Sequence, residues 1–184
     1  MSSHVGKIWT YDDYAALPDD GHRYEVIDGE LFMTPAANIR HQDILGWVFV
    51  QLYNHVRAHG GGKVFVSAVD VVLSPTNVVQ PDVLFVSDAD RERVTAPNVQ
   101  GAPTLAVEVL SDARHDRVRK RRLYEQFGVR EYWIADPHRR QVEVYRLEGG
   151  AYPSPAVFNA GDTLTTPLLP GLGLDVETLL SGGE

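Results

Sequence analysis

Apolar residues recur along the chain with two different spacings, one typical of helices and one typical of strands. From Asn38 to His59 they follow the helical period, and a run of three glycines comes next. Because asparagine often caps helix N-termini, this pattern predicts a long helix that begins after Asn38 and ends at about His59. A shorter helix is predicted to begin at Thr10, with Asp13 completing a capping pair, and to end near Pro18.

Strand patterns occupy much of the remaining chain. Two apolar-rich runs, Arg23–Ile27 and Glu30–Thr34, flank Asp28-Gly29, a pair that favours a two-residue β-hairpin turn. After Gly149 the pattern weakens, and it predicts one more strand and a short terminal helix. Five further runs predict strands between these regions: Val64–Leu73, Val83–Val86, Thr104–Leu110, Glu131–Ala135 and Gln141–Leu147.

A helix rich in basic residues is predicted between two of these strands. Ser111 or Asp112 can cap its beginning, and Gly128 can end it. The resulting order of helix, three strands, helix and strand favours an α/β fold, with one mixed β-sheet flanked by helices and an N-terminal hairpin. With 184 residues, of which 43% are hydrophobic, we expect a single domain over residues 1–184.

Composition and charge exclude several classes of function. The chain has no cysteine, which excludes a disulfide framework, a thiolate zinc site and a cysteine nucleophile. It has no long apolar run and no apparent secretory signal, so we expect a cytoplasmic protein that does not contact a membrane. The formal charge of −8 argues against a protein that coats nucleic acid. Nevertheless, six of the 17 basic residues lie within 114–122, either as a solvated helix face or as a local phosphate contact.

Glu108 is the first candidate for chemistry. It lies in the middle of an apolar strand, with Ala106 and Leu110 on its own face and further apolar residues on the other. A strand that is apolar on both faces is covered on both sides, so this carboxylate is expected to be buried. A buried carboxylate needs a cation or hydrogen bonds, which leaves a structural ion pair and a metal ligand as open interpretations.

Asp82 is the second candidate, at the beginning of the preceding strand and directly after Pro81. An aspartate there can simply shape a turn. Neighbouring strands are under about 5 Å apart, however, so Asp82 and Glu108 can converge on one point. Two converging carboxylates repel each other unless a divalent cation lies between them. Oxygen ligands of this kind suit Mg²⁺ or Mn²⁺.

Lys120 is the third candidate, in the basic helix. The helical period places it on the apolar stripe with Leu123 and Tyr124, whereas Arg122 points away from that stripe. Lys120 is therefore predicted to face the sheet, although its stem could instead carry the ammonium out to solvent. Beside a metal, the ammonium could stabilise the charge that develops in a transition state. On this interpretation, we expect Lys120→Met to reduce activity and to leave stability nearly intact.

These residues resemble the PD-(D/E)XK nuclease superfamily and, more closely, the bacterial "putative restriction endonuclease" family, formerly a domain of unknown function. The resemblance extends over roughly residues 10 to 180. The segments that carry it are Arg23–Leu31, Gln80–Val83, Val107–Ser111, Lys120 with Tyr124, and Gly128–Pro137.

The resemblance implies a restriction-endonuclease-like core and a Mg²⁺-dependent (or Mn²⁺-dependent) endonuclease that hydrolyses phosphodiester bonds of DNA, with duplex as the expected partner. It implies a metal site formed by Asp82, Glu108 and the backbone carbonyl of Val109. The chain departs from the pattern Glu-x-Lys, because Leu110 stands where the lysine is usual. In the bacterial family the lysine is thought to have moved to the following helix, which Lys120 matches.

Three other polar residues have weaker claims on the site. Glu25 matches a Tyr-Glu position of the family and is a further catalytic candidate, although in a hairpin strand it can also pair with a basic neighbour. His41 lies on the inward stripe of the long helix and is interpreted as a hydrogen-bonded core residue. Asp70 is interpreted as a structural ion-pair partner, with a third site carboxylate as the alternative.

Two other classes of function stay open. The chain could be a catalytically silent DNA-binding or interaction module that keeps the nuclease fold, or a structural protein in which Asp82, Glu108 and Lys120 form only a buried ion network. A homodimer is also expected, because two sites related by a two-fold axis can cut both strands of a duplex. The apolar segment Leu168–Leu172 could contribute to its interface or cover the core.

Overall fold

The structure is a computed structural model that describes residues 6–34, 37–110 and 116–183. Within these ranges the helices are α1 (Tyr11–Ala15), α2 (Ile39–His59), α3 (Asp116–Phe127) and α4 (Val176–Ser181), and a 3₁₀ helix spans Asp88–Arg93. The strands are β1 (Arg23–Ile27), β2 (Glu30–Thr34), β3 (Gly62–Val66), β4 (Val71–Ser74), β5 (Asn77–Val79), β6 (Val83–Ser87), β7 (Val99–Gln100), β8 (Leu105–Val109), β9 (Glu131–Asp136), β10 (Gln141–Arg146), β11 (Ala156–Asn159), β12 (Thr163–Thr165) and β13 (Gly173–Asp175).

Local hydrogen bonds fix the beginnings of the first two helices as predicted. Thr10 and Asp13 form a reciprocal capping box at α1. The side chain of Asn38 accepts a hydrogen bond of 2.9 Å from the backbone N–H of His41 at the beginning of α2. The predicted caps Ser111 and Asp112 of the basic helix lie outside the described residues.

The predicted hairpin has the two-residue turn that its sequence favours. β1 and β2 are antiparallel, and Ile27 pairs with Glu30 across the turn. Asp28 and Gly29 both have positive φ, at 52° and 76°. A type I′ turn needs positive φ at both central residues, and this is why an Asp-Gly pair joins the two strands so tightly.

The described strands form three sheets. A central six-stranded sheet has the order β11-β10-β9-β8-β6-β3, a five-stranded sheet has the order β2-β1-β5-β4-β7, and β12 pairs with β13. In the central sheet β8 and β9 run parallel, whereas the other neighbours are antiparallel. The predicted fold class, α/β with a mixed β-sheet flanked by helices, is confirmed, but the strands form three sheets rather than the single sheet that we predicted.

The run Val64–Leu73, which we predicted as one strand, is divided between two sheets. β3 pairs with β6 in the central sheet, whereas β4 pairs with β5 and β7 in the five-stranded sheet. The run of apolar residues continues across the break, interrupted only at Ser67 and Asp70, so it could not show that the chain changes sheets. The three-residue strand β5 was not among the predicted strands, because its first residue, Asn77, follows Ser74-Pro75-Thr76, residues that favour a turn.

Helices cover both faces of the central sheet, as the apolar strand around Glu108 predicts. On one face Leu105, Val107 and Val109 pack with buried residues of α2 and α4. On the other face Ala106 packs with buried residues of α3. β8 is therefore enclosed by two helical layers, and a polar side chain on it lies inside the protein.

The C-terminal part contains more strands than its weak pattern predicted. β11, β12 and β13 all follow Gly149, and the predicted terminal helix is α4. Leu169 and Leu172 are buried in the same core as α2, so this apolar segment covers the core. No helix of the described ranges is long and apolar enough to span a membrane.

A close backbone contact at the beginning of β3 gives a test of the central sheet. A Cβ atom on Gly62 would lie 2.2 Å from the backbone oxygen of Val86, whereas one on Gly61 would meet nothing within 4 Å. We expect Gly62→Ala to lower the free energy of unfolding by about 1–3 kcal/mol more than Gly61→Ala does, because β3 must move away from β6. Urea denaturation of both variants measures the difference, and equal losses would contradict this packing.

Candidate active site

Asp82 and Glu108 lie opposite each other at one end of the inner strands β6 and β8 of the central sheet. Val83 of β6 pairs with Val107 of antiparallel β8, so the residue before Val83 lies opposite the residue after Val107. Asp82 is 5% exposed, and the side chain of Glu108 is 12% exposed. The structure thus brings the two predicted carboxylate residues to neighbouring backbone positions, both largely out of water.

Asp82 is held through one of its two carboxylate oxygens. Its Oδ2 accepts a hydrogen bond of 2.8 Å from the backbone N–H of Val109 and lies 3.0 Å from Nε2 of His41. In the described part of the chain no hydrogen bond reaches its other oxygen, Oδ1. Asp82 is therefore oriented by β8 and α2 together, with one oxygen left for a ligand.

His41 is a buried, hydrogen-bonded residue, as the sequence indicated, but its partner could not be predicted. Since the Asp82 carboxylate can only accept, Nε2 of His41 carries the proton that they share. Nδ1 is buried and has no partner among the described residues. The Asn38 cap fixes the first turn of α2 and so sets His41 over Asp82.

Lys120 faces the sheet, as its helical position predicts, and it contacts two carboxylates there. Its Nζ lies 2.9 Å from Oε1 of Glu25 and 3.1 and 3.2 Å from the two oxygens of Glu108. Lys120 is 4% exposed and Glu25 is 3% exposed. The ammonium thus joins β1, β8 and α3, and it brings the predicted catalytic candidate Glu25 into the same cluster.

Neutral donors also contact these two carboxylates. The Tyr124 hydroxyl donates to Glu108 over 3.0 Å, and the backbone N–H of Gln80 donates to Glu25 over 2.6 Å. Burial, together with the charges of Glu108 and Glu25, raises the pKa of the Tyr124 hydroxyl well above its usual range. Tyr124 therefore remains a donor at neutral pH.

Asp70 belongs to a second hydrogen-bonded group beside the first. It accepts hydrogen bonds of 2.7 Å from the Tyr14 hydroxyl and 2.8 Å from the side-chain amide of Gln80. These are neutral donors, so the expected structural ion pair is not what holds Asp70 in place. Burial and then the bond to Asp70 raise the pKa of Tyr14. Because Gln80 also bonds Glu25, this group supports the lysine cluster from the side of the five-stranded sheet.

The charge and chemistry of the site suit a small divalent cation. Among the described residues, the carboxylates of Glu25, Asp82 and Glu108 and the ammonium of Lys120 lie in this largely buried region, so its described side chains include more acidic than basic groups. Among the described residues no three histidine, aspartate or glutamate side chains are grouped closely enough to hold a metal ion. A cation would therefore rest on two carboxylates together with other oxygens, a ligand set that Mg²⁺ accepts.

Most basic residues of α3 lie on its outer side. Nη1 of Arg119 lies 3.4 Å from Oε2 of Glu30, and its Cζ lies 4.8 Å from the centre of the Phe32 ring. Arg121 lies over the ring of Tyr145. Arg122 is exposed, as its helical position predicts. The first two arginines are thus engaged on the protein surface, and among the described side chains of this helix Arg122 remains the candidate for a phosphate contact.

Comparisons with known proteins identify the family and the fold of the chain. The sequence model of the Uma2 family, described as "Putative restriction endonuclease", matches residues 11–177. The chain is also similar to a crystal structure described as a "putative nuclease belonging to DUF820 from Anabaena variabilis", with a TM-score of 0.81 and 19% identity. That match covers 95% of this chain and 99% of the other, and it shows the restriction-endonuclease-like fold. No curated protein matches the sequence.

The ion cluster of Lys120, Glu25 and Glu108 changes the effect on stability that we expect of Lys120→Met. The sequence predicted little loss of stability, but the structure shows that this change would leave Glu25 and Glu108 buried together without their shared cation. We expect a loss of about 3–5 kcal/mol in the free energy of unfolding, measured by urea denaturation. The exposed Lys63 provides the control, because Lys63→Met should alter stability by less than about 0.5 kcal/mol. Similar small losses in both variants would contradict the cluster.

Proposed function

The chain belongs to the Uma2 "Putative restriction endonuclease" family, and we propose that it is a metal-dependent endonuclease that hydrolyses phosphodiester bonds of duplex DNA. One observation carries this proposal: the opposed strand positions of Asp82 and Glu108 bring two largely buried carboxylates to the same end of β6 and β8, where the buried Lys120 contacts Glu108. Such a group combines ligands for a cation with a positive charge for the transition state.

We propose that Asp82, Glu108 and the backbone carbonyl of Val109 hold Mg²⁺ or Mn²⁺. A bound ion of this kind would polarise a phosphate oxygen and favour an attacking hydroxide. The two bonds to Oδ2 of Asp82 leave Oδ1 as the oxygen for this role. Since both bonds come from parts of the rigid core, the oxygen is positioned before any ligand arrives.

Lys120 and Glu25 have complementary roles in this proposal. Lys120 lies beside Glu108. A phosphate bound by a metal ion at Glu108 would therefore be near the ammonium of Lys120, which would stabilise the negative charge that develops in the transition state. Glu25 fixes the ammonium from the opposite side over 2.9 Å. Glu25 thus acts as a positioning residue, and it compensates for the departure at Leu110 by holding the lysine of α3 at the site.

A catalytically silent DNA-binding or interaction module is the second candidate function. The observation that favours it is that Lys120 is already paired with two carboxylates, as a purely structural ion network would require. Such a protein would bind DNA or another partner without cutting. The two candidates therefore differ in cleavage rather than in fold.

Plasmid cleavage tests the proposal directly. We expect the wild-type protein to cut duplex DNA with Mg²⁺ or Mn²⁺ and to stop when EDTA is added. Asp82→Asn keeps an oxygen for the two hydrogen bonds but removes the charge, and it should reduce cleavage to background. Glu92→Gln, an exposed carboxylate on the 3₁₀ helix at the other end of β6, is the matched control and should cut normally. Folded wild-type protein that never cuts would favour the silent module.

The role of Lys120 gives a quantitative test. Lys120→Ala should lower the cleavage rate by a factor on the order of 10²–10³, the scale of losing one transition-state donor. Because this variant also loses a buried ion cluster, the rate is measured at a temperature at which circular dichroism shows it to be folded. A folded variant that cuts at the wild-type rate would remove Lys120 from the proposed chemistry.

We further propose that the protein acts as a homodimer, since two sites are needed to cut both strands at once. Leu169 and Leu172 are engaged in the core, so the interface would lie elsewhere. Light scattering at micromolar concentration should give about twice the chain mass of 20.4 kDa. A monomeric mass would contradict this assembly.

A further inference from the structure

Two exposed arginines flank the edge of the sheet that carries the site. Arg40 directly precedes His41, whose Nε2 lies 3.0 Å from the Asp82 carboxylate. Arg139 lies in the turn after β9, and Ile134 of that strand pairs with Glu108. Because a strand rises about 3.3 Å per residue, this turn begins roughly 7 Å beyond the paired position. Both arginines therefore lie at the end of the central sheet that carries Asp82 and Glu108.

The turn after β9 is built so that it presents Arg139 outward. Asp136 accepts hydrogen bonds of 3.0 Å from the backbone N–H groups of both His138 and Arg139, and Pro137 is buried. The Arg139 side chain is 64% exposed, and its Nε lies 3.8 Å from Asp136, which is too long for a hydrogen bond. The backbone of the turn is fixed while the guanidinium remains accessible.

Arg40 is connected to the same turn. One of its guanidinium nitrogens donates a hydrogen bond of 3.2 Å to the carbonyl of Pro137. No carboxylate pairs with Arg40 among the described residues, and Arg40 is exposed. A guanidinium fixed by one N–H keeps its other donors in a planar fork that suits a phosphate.

The charges around Arg40 and Arg139 favour the binding of an anion at this place. The first turn of α2 contains no acidic residue, although acidic side chains are favoured at helix N-termini. The neighbouring Arg140 is paired with Glu177, whereas among the described residues no carboxylate accepts a hydrogen bond from the guanidinium of Arg40 or Arg139. The chain as a whole is acidic, with a formal charge of −8. Its net charge repels a polyanion, so binding of one requires exposed cations such as these two.

We infer that Arg40 and Arg139 form a phosphate-contacting surface that holds the DNA backbone beside the Asp82–Glu108 site. This inference rests on the proposed function, because it takes DNA as the polyanion. The surface adds what the buried site lacks, namely exposed cations that can fix the register of the strand to be cut. Contacts of this kind position the duplex without reading its sequence.

Binding measured without cleavage tests this surface. We propose fluorescence anisotropy with a short fluorescein-labelled duplex, with Ca²⁺ in place of Mg²⁺, at several salt concentrations. Each lost phosphate contact should reduce the slope of log affinity against log salt by about 0.9, so the Arg40→Ala/Arg139→Ala double variant should lose about 1.8. Arg40→Lys/Arg139→Lys keeps the charge and should largely restore the slope. Unchanged melting temperatures would show that the fold is not the cause.

Arg57 is the matched control, because it is exposed near the C-terminal end of the same helix, about 25 Å along the axis from Arg40. Arg57→Ala should bind like the wild type. If the double variant binds with wild-type affinity and slope while the wild type still cuts plasmid DNA, the surface is overturned and the proposed function stands. If the wild type neither binds nor cuts, both are overturned.

Discussion

The ammonium of Lys120 between Glu25 and Glu108 is the interaction on which the rest of the site depends. It joins a helix, the central sheet and the five-stranded sheet at a point where water has been excluded. Without it two carboxylates would be buried together, and the desolvation of each would oppose folding. The charge to which we assign a role in the chemistry is therefore also one of the contacts, beside the shared apolar core, that join the two sheets.

On the other side of the same edge, His41 and the backbone of Val109 orient Asp82. The two carboxylates are thus held by different layers of the protein, Asp82 by α2 and Glu108 by α3. This division has a physical advantage, because each acid is positioned independently and their mutual repulsion is resisted by the whole core. Because α2 and α3 cover opposite faces of the central sheet, each of them contributes a contact to the same end of β6 and β8.

The chain has a formal charge of −8, and several of its positive side chains have defined partners in the structure. Lys120 is buried, Arg119 and Arg121 contact the protein's own surface, and Arg140 pairs with Glu177. A count of basic residues would have directed attention to the 114–122 segment. The structure instead shows that the partners of each arginine decide whether it is available to a phosphate, and only the fold supplies those partners.

The candidate carboxylates and the lysine could be found from the sequence because their signals are local. Apolar residues on both sides of Glu108 indicate burial, and the helical period around Lys120 indicates which way it faces. The identification of Glu25 rested on the family resemblance alone. No local signal could show that it reaches Lys120, because the two residues are 95 positions apart in the sequence and meet only when the two sheets pack.

By itself, the sequence determined the helices α1 and α2, the β1–β2 hairpin and the buried character of β8, since caps, turn residues and periodicity act within a few residues. Only the tertiary structure decided that Val64–Leu73 belongs to two sheets, that His41 bonds Asp82 and that Lys120 joins Glu25 to Glu108. The reason is physical: strand pairing and buried ion pairs depend on which distant segments meet, and a pattern of apolar positions specifies a face but not its partner.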